Sequence, residues 1–256
     1  MSRPPIDHDT LAPGMRRQLA RLEAALADGM PRRGWKVGIN VPEVRAHLGL
    51  AHAAVAWIDG RRVLDSGDVL ACDPDARLLV EPEIAIGIDH SLSPDATTAA
   101  AREAISWIRP ALEIVDYGRP PEGLEALVAG CILHHATVLG DVHPLTAAPD
   151  PALGRDCPRL RVGVRDAGAP RGDLVPGDPG EIVSFVARYL EAFGAHLEAG
   201  DLILAGSYVP QALAITAGEE AIADYGKLGR VSVRAVSTRG AASPHDRPTG
   251  TTDSCC

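Results

Sequence analysis

Nowhere in the 256-residue sequence is there a run of the ~18–20 consecutive apolar residues that a membrane-spanning helix needs, and its opening, Met1-Ser2-Arg3-Pro4-Pro5, lacks the apolar core of a secretion signal. A cytoplasmic protein without a membrane partner is expected. A basic excess is missing too. The 34 acidic residues outnumber the 25 basic ones, the formal charge is −9 and the pI is near 5.4. The chain therefore offers no general attraction to a phosphate backbone, and nucleic acid is excluded as an expected partner. The five cysteines, Cys72, Cys131, Cys157, Cys255 and Cys256, form no C-x-x-C pair, which argues against a structural zinc or dithiol redox site and for reduced thiols. Phosphate-loop, dinucleotide and serine-hydrolase signatures are absent: Ser207, for example, lacks the second glycine of a G-x-S-x-G elbow. Aromatic residues make up only 4%, and Trp35, Trp57 and Trp107 lack the basic groove of a base-stacking platform, so they read as packing residues.

Lysine and asparagine are scarce as well. Of the 25 cations only Lys36 and Lys227 are lysines, and Asn40 is the chain's one asparagine. Lys36 and Asn40 both fall in the apolar, glycine-bounded segment Gly34-Trp35-Lys36-Val37-Gly38-Ile39-Asn40, which makes Lys36 a candidate functional residue.

What is present is a hydrophobic fraction of 46% built on Ala, Val, Leu and Ile, enough for a substantial core without disulfides. Helical spacing is found at 14–27, 42–48, 95–108, 124–129 and 181–197, with Pro110 expected to disturb the end of the third. Strand patterns are found at 34–40, 55–58, 62–64, 81–88, 111–115, 132–139, 159–164, 202–204, 212–215, 220–225 and 230–236. Segregated helices and mainly turn-connected strands predict an α+β fold. The expected division is a helical and Lys-bearing segment at 1–50, a metal-binding core at 51–237, and a disordered tail at 238–256 rich in Ser, Thr, Gly and Pro.

The segment Leu78-Leu79-Val80-Glu81-Pro82-Glu83-Ile84-Ala85-Ile86-Gly87-Ile88 carries the chemistry. On a strand, Glu81 and Glu83 face the same way about 6.6 Å apart, while Ile84, Ile86 and Ile88 face the other. Two carboxylates so close raise each other's pKa unless a cation compensates them. Glu113, inside the apolar run Ala111-Leu112-Glu113-Ile114-Val115, adds a third charge that needs a partner. Three carboxylates without an accompanying His or Cys cluster match the oxygen preference of Mg²⁺ or Mn²⁺. His134, His135 and His143 are set aside as a metal cluster, because adjacent residues on a strand point to opposite faces.

Five blocks in order carry a resemblance: Gly34-Trp35-Lys36-Val37-Gly38, Glu81-Pro82-Glu83-Ile84-Ala85, Pro110-Ala111-Leu112-Glu113-Ile114-Val115, Gly200-Asp201-Leu202-Ile203-Leu204-Ala205-Gly206-Ser207 and Asp224-Tyr225-Gly226-Lys227-Leu228-Gly229-Arg230-Val231. The chain resembles the 2-keto-4-pentenoate hydratase/4-oxalocrotonate decarboxylase family within the fumarylacetoacetate hydrolase superfamily. The resemblance implies a mixed β-roll-like fold with flanking helices and assembly into homo-oligomers. It also implies Glu81, Glu83 and Glu113 as metal ligands, Lys36 as the cationic catalytic residue, and Gly206 and Ser207 as part of the loop facing the substrate. The implied reaction is hydration or decarboxylation of a small 2-oxo or 2-hydroxy-dienoic acid through an enolate that the divalent metal stabilises as a Lewis acid. Lys36 would shuttle a proton or hold the developing negative charge, especially if burial lowers its pKa.

The sequence departs from the family where water or the substrate's far end would be placed. No acid follows Leu48-Gly49-Leu50, a Leu-Gly-His-Pro motif is replaced by Pro176-Gly177-Asp178-Pro179, and a Ser-Ser-Gly stretch by Pro170-Arg171-Gly172. Two alternatives therefore stand beside the lyase reading. One is an acylpyruvate-type C–C hydrolase, with His52 or Asp178 as the base, and the other is a binding protein that keeps the fold without turnover.

Overall fold

The computed structural model describes residues 6–145, 157–174 and 176–238. The tail expected from Thr238 lies, beyond Thr238 itself, outside the described residues, as do Cys255 and Cys256. No helix among the described residues is long and apolar enough to cross a membrane.

Two sheets make up the α+β core. The larger contains β1 (Gly34–Gly38), β2 (Ala54–Trp57), β3 (Val63–Asp65), β5 (Leu78–Ile88), β6 (Ile105–Asp116), β7 (His134–Leu139), β10 (Leu202–Leu204) and β11 (Leu213–Ala214). Its order is β2-β1-β10-β5-β6-β7-β3, and β11 pairs with β5 beside β10. The smaller runs β4 (Val69–Cys72), β13 (Arg230–Ser237), β12 (Glu220–Asp224), β8 (Arg159–Val162), β9 (Arg165–Asp166). Neighbours in sequence are often not neighbours in the sheet: β1 pairs in parallel with β10, β3 with β7, and β4 with β13. The expectation of mainly turn-connected strands is corrected accordingly.

Alternation along β5 and β6 divides the sheet. Val80, Ile84, Ile86 and Ile88 of β5, with Leu112 and Ile114 of β6, enter the main core. The opposite face carries Glu81, Glu83 and Glu113 beside a smaller apolar cluster of Ala85, Ala111, Leu139, Leu202 and Leu204. Among the described residues five α-helices flank the sheets: α1 (His8–Ala27), α2 (Pro42–His47), α3 (Thr98–Glu103), α4 (Gly123–Ala129) and α5 (Pro179–Ala192).

The helix expected over 95–108 is the largest correction. Thr97 caps α3 by accepting from the Ala100 N–H, and α3 ends at Glu103. From Ile105 the chain is strand, paired with the far end of β5. The spacing of Ile105 and Ile108 fits a helix as well as a strand, and pairing with β5 decides it. Trp107 packs against Gly87, where a Cβ would lie 2.0 Å from its ring. Pro110 and Pro82 are tolerated within central strands because their carbonyls accept from Gly140 and Tyr208. Their N atoms face that same side, where the neighbouring strand has ended. Smaller shifts are the earlier start of α1, the end of α5 before 197, and the start of β7 at His134, not 132.

β10 is fixed to β1 by a buried acid. Asp201 accepts both forks of Arg32, Nε at 2.8 Å and Nη2 at 2.8 Å, and also Trp35 Nε1 at 3.2 Å and the Glu198 N–H at 3.0 Å. Replacing Asp201 by Ala leaves the Trp35 Nε1–H and the Glu198 N–H without this acceptor, leaves Arg32 with only Glu198 and the His196 carbonyl, and is expected to cost about 2–3 kcal/mol in urea unfolding. Arg61→Ala, which breaks an exposed pair with Asp59, is expected to cost less than about 1 kcal/mol. Equal losses would contradict this account of the β1–β10 junction.

Candidate metal centre

Strand register assembles the carboxylates. Glu81 lies directly across from Glu113 in the β5–β6 pair, and Glu83 lies one rung further, across from Ala111. One oxygen from each of the three carboxylates can be chosen so that all lie within 4.8 Å of one another. Glu83 and Glu113 are each 1% exposed, and Glu81 is the outermost.

The chain folds so that these charges have specific neighbours. After Leu204, β10 leaves the sheet and turns at Gly206, whose φ of +105° is a conformation glycine adopts without strain. There the Gly206 N–H donates to Glu83 Oε2 at 2.9 Å. Asn40 braces the turn by donating from Nδ2 to the Ser207 carbonyl at 2.9 Å. From the second sheet, the buried Tyr225 hydroxyl lies 2.6 Å from the Glu83 carbonyl and 2.8 Å from that of Ala111, sharing its one proton between them beneath the carboxylate rung.

Lys36 enters from β1 on the same face and is 2% exposed. Its Nζ donates to Glu113 Oε1 at 2.5 Å and to the Ile132 carbonyl at 3.1 Å. Gly38 leaves space beside it: a Cβ there would lie 3.0 Å from Ile132 Cγ2 and 3.3 Å from Lys36 Cε. Glu113 Oε1 also accepts from His134 Nδ1 at 2.8 Å, which places the imidazole proton on Nδ1.

Sequence reasoning missed His134. Plain alternation back from Thr137, the partner of Glu113, would put His135 on the carboxylate face. A β-bulge between Ile114 and Val115 shifts the register so that His134 faces Val115, and His135 turns outward to Arg62. Just before it, Cys131, Ile132 and Leu133 all have positive φ, from 50° to 63°. Three consecutive left-handed residues, one of them β-branched, cost about 1–2 kcal/mol each, and this turn aims the Ile132 carbonyl at Lys36. Neither the bulge nor the turn has a glycine or proline to announce it. His143, by contrast, lies away from the cluster, within reach of the Leu228 carbonyl.

The cluster's electrostatics are unbalanced. Burial, then the charge of Glu113, pushes Glu81 up to about 7 against the pull of Lys36. Burial, then Glu113 and Glu81, pushes Glu83 well above the ordinary carboxylate range. Burial alone would raise Glu113 too, but the Lys36 charge and the hydrogen bond from His134 reverse it and hold it low. Burial would lower Lys36, yet Glu113, with Glu81 and Glu83 behind it, holds it above its ordinary value. The carboxylates thus outweigh burial and favour the ammonium form of Lys36.

One lysine does not neutralise three carboxylates. The uncompensated charge of three ionised carboxylates and the all-oxygen donor set fit a divalent ion with room for further ligands. The carboxylate end opens into a cavity of about 750 Å³ lined by Lys36, Glu81 and Ser207 among mainly apolar residues. The Ser207 hydroxyl is engaged with Val209, donating to its carbonyl and accepting from its N–H. Neither proposed hydrolytic base lines this cavity. His52 accepts from the Asp7 N–H and packs on Phe185 and Tyr189, while Asp178 caps α5 and pairs with Arg102.

No family model matches the chain. It is 28% identical over 185 residues to the 2-hydroxyhexa-2,4-dienoate hydratase of Comamonas testosteroni, covering 69% of this chain and 68% of that one. The fold is shared with 4-oxalocrotonate decarboxylase from Pseudomonas putida G7, solved with magnesium and adipate. The TM-score is 0.77 at 20% identity, over 87% of this chain and 85% of that one. It is also shared with fumarylpyruvate hydrolase from Pseudomonas aeruginosa, solved with Mn²⁺ and pyruvate. There the TM-score is 0.62 at 19% identity, over 81% of this chain and 91% of that one.

The raised carboxyls set a pH dependence. A carboxyl whose folded pKa lies above its unfolded one binds more protons in the native state, so its contribution to stability falls as pH rises between the two values. For Glu81 that window runs from the ordinary carboxylate range to about 7. The Tm of metal-free protein is expected to fall across this window, and added Mn²⁺ to restore it most at the upper end. A metal-free Tm that is flat or rises there would contradict the assignment.

Proposed function

We propose that the chain is a divalent-metal-dependent lyase of the 2-keto-4-pentenoate hydratase/4-oxalocrotonate decarboxylase type, a reading supported by its 28% identity to a 2-hydroxyhexa-2,4-dienoate hydratase and by the fold it shares with 4-oxalocrotonate decarboxylase. Its substrate would be a 2-oxo or 2-hydroxy-dienoic acid, transformed by hydration or decarboxylation. One observation carries the reading: three carboxylates on adjacent rungs, Glu83 and Glu113 buried and Glu81 partly so, with a lysine hydrogen-bonded to Glu113, lie together where Glu81 and Lys36 line a ligand-sized cavity. The donor set favours Mg²⁺ or Mn²⁺. Homo-oligomeric assembly, implied by the resemblance, and a cytoplasmic location belong to the same proposal.

When bound, the ion supplies a Lewis acid to the carboxylate and 2-oxo oxygens of the substrate. Glu81, Glu83 and Glu113 would hold it, and the Gly206 N–H keeps one oxygen of Glu83 in place. Lys36 does the chain's own proton chemistry. Held as an ammonium by Glu113, it presents Nζ–H at the inner end of the cavity, where it balances negative charge developing on the substrate and returns a proton to carbon. His134 keeps Glu113 oriented for both tasks.

Hydrolysis of an acylpyruvate is a weaker reading, because it needs a base for water and the cavity offers no acid or imidazole apart from the ligand cluster. With Mg²⁺ the purified protein is expected to change the ultraviolet absorbance of a 2-hydroxy-dienoate or 2-oxo-enoate. Lys36→Met is expected to lower kcat about 10²–10⁴-fold while Mn²⁺ still binds. Unchanged absorbance across these compounds contradicts the lyase reading. Release of two acids from an acylpyruvate would favour the hydrolase, and binding without any product would favour a non-catalytic protein.

A further inference from the structure

The proposed metal-binding carboxylates occupy only one end of the cavity, and the sheet that forms its floor changes character in steps. Beyond the Glu81–Glu113 rung the next residues on the same face are Leu79 and Val115, directly paired, with Ala214 of β11 beside Leu79. One rung further the Tyr117 N–H donates to the Arg77 carbonyl at 2.9 Å. At two residues per rung these steps lie about 7 and 13 Å from the carboxylate pair. The facing walls are apolar as well. Helix α2 contributes Val44 and its C-terminal capping residue Leu48, and the loop after β10 contributes Val209. Val44 is 44% exposed, a valine left uncovered on the cavity wall.

A cavity of about 750 Å³ falls in the range that buries a drug-sized ligand, far more than a six-carbon acid occupies. Resting on the metal-dependent reading above, we propose that the site takes a 2-oxo or 2-hydroxy-dienoic acid bearing an apolar substituent, an alkyl chain or aryl ring, that lies along the Leu79–Val115–Ala214 rung under Val44 and Leu48. The acid head is held at the carboxylate end. The tail supplies affinity and selects for length by leaving water. Arg77, exposed at the outer rim, lies past the apolar rung and so does not define the tail's chemistry.

The test uses the full chain with Mn²⁺ in titration calorimetry. The ligands are oxalate as a head without a tail, then pyruvate, 2-oxopentanoate and 2-oxooctanoate, with 2-oxooctanedioate as the charged-tail comparison. Affinity is expected to rise about two- to fourfold per added methylene, and 2-oxooctanoate is expected to bind more tightly than the diacid. In Val44→Asp the rise with length is expected to flatten, and the oxalate titration shows separately whether the head site is formed. Affinity independent of length in the wild type, with oxalate still binding, overturns the apolar-tail proposal and leaves the metal reading standing. Preference for the diacid overturns it in favour of recognition by Arg77. Failure of oxalate to bind with Mn²⁺ overturns the metal reading and this proposal with it.

Discussion

Three carboxylates and one ammonium share a site from which water is largely excluded, and most of the unusual features of the fold answer to that constraint. Two like charges on neighbouring rungs of one strand are costly when buried, and a third directly across the sheet makes them more so. Each therefore has an assigned neighbour. Glu113 has Lys36 and His134, and Glu83 has the Gly206 N–H, with Tyr225 gripping the backbone below. Early termination of β10 opens the gap through which the loop donates to Glu83, and Gly38 clears the path for the lysine. These contacts do not compensate Glu81 and Glu83, whose carboxyls are pushed toward the protonated form, and a dication would let all three ionise.

The region around Ile132 shows where local conformational energy is spent. A left-handed turn of three non-glycine residues and an adjacent bulge run against backbone preference. Together they turn one carbonyl toward Lys36 and one imidazole toward Glu113. Lys36 accordingly differs from a buried lysine tuned to be neutral. Its partners outweigh burial, so its role is that of a fixed positive charge with a proton to give.

Much of this was legible in the sequence. The period-two pattern of β5 put Glu81 and Glu83 on one face and the isoleucines on the other, as the structure has them. Glu113 stood out as a charge in an apolar run, and Lys36 as one of two lysines in a chain rich in arginine. What could not be read depends on long-range register. The strand identity of Ser106–Ile108 is set by pairing with β5, the parallel partners of β1, β3 and β13 lie far along the chain, and His134 reaches the site through a bulge invisible to alternation. His52 and Asp178 were plausible bases by residue type alone, and their places in the fold are structural.

The measurement that bears most directly on this account is Mn²⁺ titration calorimetry with and without oxalate, comparing the wild type with Glu83→Gln, which keeps the shape and removes one charge from the cluster. The account predicts stoichiometric Mn²⁺ binding that oxalate strengthens, and loss of both binding and enhancement in the variant. Wild-type protein that binds no Mn²⁺, or a variant that binds it equally well, would contradict the claim that the buried carboxylates form a dication site.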